Sequence, residues 1–183
     1  TLITFAQGAL RSHPYLYKEV RAVQDPDSRK GLDAFEDALL GHISFSISNV
    51  TGAFFHNLTL GYFAEVPERP QGLETIYRQL SRASRNFALV ADLTVAMLGG
   101  GLKVKQKLTG RLADALSEIY LLSCVLKRFE DDGRPEADRP IVAFAAANGL
   151  HRFEEALRGT VENFPNPAAR VLLRVLVFPF GRH

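Results

Sequence analysis

Apolar positions recur at three- and four-residue steps along nearly the whole chain, and polar turns interrupt them. A short apolar piece, Leu2 to Leu10, leads into Ser12-His13-Pro14. Ser12 suits an N-cap, and Pro14 suits a first helical turn, where no amide donor is needed. The helix predicted here runs to about Gln24 and stops at the turn sequence Asp25-Pro26-Asp27. A second helix is expected from about Leu32, with Asp33, Glu36 and Asp37 crowding its first turn. Its predicted core stripe is Phe35, Leu39, Ile43, Ile47, Val50, Phe54 and Leu58. Gly41, Gly52 and Gly61 lie among these positions, lowering propensity while allowing close helix contact. Pro67 and Pro70 end the element.

A third helix is predicted from Leu73 to Leu98, roughly 39 Å long at 1.5 Å per residue. Leu73, Ile76, Tyr77, Leu80, Phe87, Val90 and Met97 form its stripe, with Arg78, Arg82 and Arg85 mostly off it. A fourth starts near Val104 and keeps its period through Leu108, Leu112, Ala115, Leu116, Ile119, Leu122, Leu126 and Phe129. It ends at Asp131-Asp132-Gly133, with Gly133 placed for the left-handed residue past a helix end. A fifth carries Val142, Ala145, Phe153, Leu157, Val161 and Phe164. Asn166 then caps a last helix beginning with Pro167. That helix, Ala168 to Phe178, is apolar nearly all round apart from Arg170 and Arg174, so it is expected to be buried in this domain or against another surface.

No segment alternates like a strand, and there is no internal repeat. The expected fold is a single all-α domain over residues 1–183, an antiparallel multi-helix bundle with long central helices and short loops. The composition agrees: 46% apolar and 23% charged residues mark a globular chain with a real core. The net charge of +2 is spread along the sequence and gives no footprint for nucleic acid. A single cysteine, Cys124, excludes an internal disulfide and a cysteine-rich zinc site and suits a reducing cytosol. No run of 18 apolar residues is present, so no membrane crossing is expected. The chain opens without a methionine or a signal peptide and reads as a piece of a longer polypeptide.

Candidate chemistry centres on Gly99-Gly100-Gly101 followed by Lys103, Lys105 and Lys107. A Walker-type loop needs a preceding strand, G-x-x-x-x-G-K-[ST] spacing and a Ser or Thr after the lysine, and all are missing. The stretch therefore reads first as a corner between two helices. A second reading keeps the three lysines as contacts for an anionic group such as a coenzyme phosphate. The five histidines show no metal-ligand spacing and are expected to be surface or packing residues. Cys124 is expected to be buried, Glu130 with Asp131 and Asp132 to form a solvated helix end, and Arg111 to pair with Asp114. Two glycosylation-type matches, at Asn49 and Asn57, are accidental in a helical setting. No residue set assembles a catalytic, flavin-binding or metal site.

The run MLGGGLKVKQKLTGRLADALSEIYLLSCVLKRFEDDGR, residues 97–134, resembles the C-terminal helical region of the large bacterial acyl-CoA dehydrogenases of fatty-acid β-oxidation. Residues 1–15 and 163–183 resemble flanking blocks of the same family. The resemblance implies a C-terminal helical domain closing an FAD-dependent enzyme, with residues 1–10 as the tail of the last helix of an upstream catalytic core. The catalytic glutamate and the flavin site belong upstream, so this segment is expected to be inactive alone. The whole enzyme would oxidise a fatty acyl-CoA to the trans-2-enoyl-CoA and pass electrons to an electron-transfer flavoprotein. A homodimer in the cytoplasm, with possible peripheral contact at the inner membrane, is implied as well. The alternative is a free-standing helical protein-interaction module.

Overall fold

The computed structural model describes residues 13–68 and 72–181, and it is all-helical across them. Six helices follow in order: α1 Leu16–Val23, α2 Ser28–Leu58, α3 Glu74–Leu98, α4 Gln106–Asp131, α5 Arg139–Glu162 and α6 Pro167–Val177. Two 3-10 turns, Gly99–Lys103 and Glu136–Asp138, precede α4 and α5. The expected piece Leu2–Leu10 and the Ser12 cap lie outside the described residues.

Side-chain acceptors set the starts of α2 and α6. Asp27 takes the amides of Arg29 and Lys30, so α2 begins at Ser28, four residues before the predicted start. Asp33, Glu36 and Asp37 consequently fall beyond its first turn. Asn166 accepts the amide of Ala169 at 3.0 Å and Pro167 opens α6, as the sequence led one to expect. α4 ends where Gly133 takes φ +77° and the Arg134 amide returns to the Phe129 carbonyl at 2.9 Å. α2 stops at Leu58, short of Pro67. Gly61, at φ +78°, sends its amide back to the His56 carbonyl at 2.7 Å and ends the helix first.

Neighbouring helices run antiparallel. Along α2 and α3, Ser46 meets Asp92, Asn57 meets Asn86, and Gly61 meets the Arg78 carbonyl. Along α4 and α5, Arg111 reaches Gly159 and Glu118 reaches Arg152. The main core gathers Val90 of α3, Leu112 and Ala115 of α4, Leu157 and Val161 of α5, Phe164, and Leu173 of α6, all nearly inaccessible to solvent. A second core joins Leu73, Leu122, Leu126, Phe129, Val142 and Ala146 at the far end of the α3–α4–α5 layer.

α2 departs most from expectation. Of its predicted core stripe, Val50 and Phe54 pack against the main core, whereas Leu39, Ile43, Ile47 and Leu58 are exposed, Ile47 by 59%. The face turned inward is Gly31, Ala38, His42, Ala53, His56 and Asn57. Small residues win the interior because neighbours come too close for large ones. A Cβ on Gly31 would lie 2.7 Å from the Ala22 carbonyl oxygen, and one on Gly52 would lie 2.7 Å from an Arg85 guanidinium nitrogen. In α6, Leu173 and Val177 are buried while Val171, Leu172 and Val175 stay exposed, so half of its apolar surface is unused by this domain.

Candidate functional site

Asp92 lies on the α2-facing side of α3 and is 7% exposed. Its Oδ1 accepts from His13 Nε2 at 2.9 Å and His42 Nε2 at 3.1 Å, and its Oδ2 accepts from Ser46 Oγ at 2.6 Å. Ser46 stands one turn after His42 on α2, so a single helix face supplies both groups. The other nitrogen of His42, Nδ1, lies 2.7 Å from Glu19 Oε1 of α1. Burial works to lower the His42 pKa, but its hydrogen bonds to Asp92 and Glu19 outweigh that and raise it. Burial likewise works to raise the Asp92 carboxyl, which hydrogen bonds from Ser46, His42 and His13 hold below the usual range.

His13 plays a different part. Its Nδ1 accepts the backbone amides of Tyr15 and Leu16 at 3.2 and 3.1 Å, capping the start of α1. Its proton therefore sits on Nε2, aimed at Asp92. The cluster thus sets His42 between two carboxylates that favour its protonated form, and ties His13 to both Asp92 and the start of α1.

His13, His42 and Asp92 each bring a ligand-type atom within 4.8 Å of the others, a spacing that suits a metal ion. The donor chemistry opposes that use. A metal on His13 Nε2 would require the proton at Nδ1, where two backbone N–H groups already point. Both nitrogens of His42 already face carboxylate oxygens, Nδ1 toward Glu19 and Nε2 toward Asp92. The cluster is a polar latch joining the start of α1 to α2 and α3. His13 and His42 are packing residues, and sequence spacing gives no sign of their shared partner, because both lie far from Asp92, by 79 and 50 residues. Tertiary packing alone brings them together.

The glycine–lysine corner is a 3-10 turn from Gly99 to Lys103, and α4 starts after it at Gln106. Leu102 is buried and its carbonyl accepts from Thr109 Oγ1 at 2.9 Å, which pins the corner to α4. Lys103, Lys105 and Lys107 are exposed. A Cβ built on Gly99, Gly100 or Gly101 meets nothing within 4 Å, so these glycines do not line a cradle. The corner does not fit the pyrophosphate of a flavin dinucleotide, which needs amides wrapped around it.

Several smaller expectations change. Cys124 is exposed rather than buried, because the inward side of α4 at this level is taken by Leu122 and Leu126. Arg111 donates to the Gly159 carbonyl at 3.0 Å across the α4–α5 seam, in place of the expected pair with Asp114. Glu130 is no solvated terminus: it pairs with Arg134 and accepts from Tyr77 Oη at 2.8 Å. Burial and that acceptor push the Tyr77 hydroxyl up to about 12. Asp131 and Asp132 are exposed and paired with Lys127 and Arg128. Asn57 is 2% exposed and bonded on both sides, so its glycosylation-type match is inaccessible.

α2 carries an extended exposed apolar face. From Ala38 to Ala64 the chain contains no Lys, Arg, Asp or Glu. Leu39, Ile43, Ile47 and Val50, with Ala96 of α3, line an apolar groove of about 400 Å³ on the outer side. By length and composition alone α2 meets the requirement for a membrane crossing, although it holds no unbroken run of 18 apolar residues. Its serines keep the run broken, and Ser46, His42 and Asn57 are committed to bonds inside the domain.

No solved structure matches the chain. Residues 10–183 match the family described as acyl-CoA dehydrogenase, C-terminal, bacterial type. With almost its entire length covered and an all-helical fold in hand, the chain belongs to the bacterial-type acyl-CoA dehydrogenase C-terminal domain family.

Proposed function

We propose that this chain closes the C-terminal end of an FAD-dependent dehydrogenase that oxidises fatty acyl-CoA to trans-2-enoyl-CoA in β-oxidation, and that it serves assembly rather than chemistry. The carrying observation is the outer face of α2, uncharged from Ala38 to Ala64 and half in solvent at Ile43 and Ile47. A face of this kind is the signature of a protein contact. The polar residues of the domain support the same reading. Asp92, His42, His13 and Ser46 are saturated by one another and have no group left for a substrate atom. The flavin, the acyl-CoA and the catalytic carboxylate belong, on this reading, to a preceding core. That core would deliver electrons to an electron-transfer flavoprotein from a cytoplasmic homodimer able to touch the inner membrane.

The test uses the full-length protein with Ile43→Glu and Ile47→Glu together. The expected result is a smaller assembly by light scattering, or a lower melting temperature of the flavin-bearing core, with the initial rate per bound flavin retained. Intact assembly combined with a lost rate per flavin would overturn the assembly role. A protein purified without flavin, and inert toward acyl-CoA, would favour the free-standing interaction module.

A further inference from the structure

Between α3, α5 and the end of α6 lies a cavity of about 230 Å³, distinct from the Asp92 latch and the α2 groove. Gln79, Arg82 and Asn86 enter it from one face of α3, at spacings of three and four residues that align side chains on a helix. Phe153 and Phe178 supply apolar wall.

The donors in this cavity outnumber its acceptors. Among the described residues Arg82 makes no hydrogen bond and no ion pair; burial draws its pKa down and the charge of Glu154 opposes that. Glu154 also lines the cavity, but it bonds to Arg158 at 2.9 Å, and the Arg158 guanidinium rests over the Phe178 ring at 4.5 Å. Gln79, a turn before Arg82, is also free of hydrogen bonds among the described residues. Asn86 gives one N–H to Asn57 Oδ1 at 3.0 Å and keeps a second. Glu154 attracts the Arg82 guanidinium only at a distance, so the Arg82 N–H groups, drawn partly out of water, stay open for an acceptor from outside the chain.

We propose that this cavity binds the oxyanion of a small organic acid, a carboxylate or phosphate group seated on Arg82 and flanked by the Gln79 and Asn86 amides, with its apolar part against Phe153 and Phe178. Arg82 presents a planar fork that matches either group in two-point contact. The mixture of a few convergent donors and an apolar wall is the usual make-up of a small-molecule site. The volume suits a headgroup with a short chain and is too small for a whole coenzyme.

The experiment titrates the full-length protein separately with inorganic phosphate and with butyrate, following heat by calorimetry and melting temperature by scanning. At least one is expected to bind and to raise the melting temperature. Arg82→Gln is expected to weaken that binding by about tenfold or more, the loss of one charge-assisted contact. Phosphate alone binding would identify a phosphate-bearing ligand, butyrate alone a carboxylic acid, and both support the site. Arg82→Met is expected to raise the melting temperature in the absence of ligand, because it removes a half-buried charge that has no direct ion-pair partner. A structural arginine would give the opposite. Should Arg82→Gln fold poorly, Gln79→Leu carries the binding test, since Gln79 holds nothing in the fold. Binding unchanged in these variants, or absent for both anions, overturns the proposal.

Discussion

Asn57 and Asn86 bond reciprocally across the α2–α3 seam, Nδ2 to Oδ1 at 2.6 Å in one direction and 3.0 Å in the other. Asn57 also donates to the Leu176 carbonyl at 2.9 Å, near the end of α6. One amide 2% exposed therefore fastens the last helix to the first long one. Asn57→Ala leaves the Asn86 amide and the Leu176 carbonyl unpaired in the interior, at a cost of about 2–3 kcal/mol. Hydrogen exchange would locate the damage: amides of α6 are expected to lose protection well before those of α4 and α5.

Gly31 is the tightest of the helix contacts made against backbone. Its missing Cβ would lie 2.7 Å from the Ala22 carbonyl oxygen and 3.3 Å from Asp25 Cβ. Alanine ordinarily favours a helix over glycine by about 1 kcal/mol. Here the overlap wins, and Gly31→Ala is expected to destabilise by about 1–3 kcal/mol in urea unfolding. Gly100 gives the contrast. With open space around it and no positive φ, Gly100→Ala is expected to stabilise by about 0.4–1 kcal/mol.

Much of this architecture was legible from apolar period and caps. Asn166 with Pro167, Gly133, and the stripe from Leu108 to Phe129 mark real boundaries and a real core face, since local chemistry sets them. Only Leu116 of that stripe turns outward, 40% exposed. α2 was misread for a physical reason: periodicity identifies an apolar face without saying what covers it. Leu39, Ile43, Ile47 and Leu58 face away from the domain, while glycine, alanines and histidines fill the close interior contacts beside Val50 and Phe54. The Asp92 latch was invisible for another reason. His13 sits in a turn and His42 within a helix, and no sequence spacing relates either to an aspartate on α3.

Reversing Lys103, Lys105 and Lys107 to glutamate probes the corner directly. All three are exposed, and none of the three glycines before them lines a cradle. Stability is expected to stay within about 0.5 kcal/mol of the parent, as for most surface changes. Acyl-CoA affinity of the full enzyme is expected to be unchanged in a binding titration. A clear loss of affinity with stability intact would restore the coenzyme-phosphate reading.

The latch also makes stability depend on pH in a direction that follows from its two perturbed groups. His42 has a folded-state pKa raised above 6.5, so its contribution is complete below 6.5 and disappears as pH rises through the folded value. Asp92 has a folded-state pKa held below 3.8, so its contribution is complete above 3.8 and disappears as pH falls through the folded value. The latch is therefore at full strength between 3.8 and 6.5. His56, whose pKa is lowered first by burial and further by Arg85, with Glu65 opposing, acts with the opposite sign near neutrality and masks part of the trend. The informative quantity is thus the difference between the parent and His42→Gln, in which His56 cancels. Urea unfolding at about pH 5.5 and about pH 8.5 should show that difference shrinking at the higher pH. Asp92→Ala, which strands His13, His42 and Ser46 together, is expected to cost about 3 kcal/mol in the window where the latch is complete. A parent-to-His42→Gln gap that stayed constant across both pH values would show that His42 binds no extra proton in the folded state, and the charge pattern assigned to the cluster would fall with it.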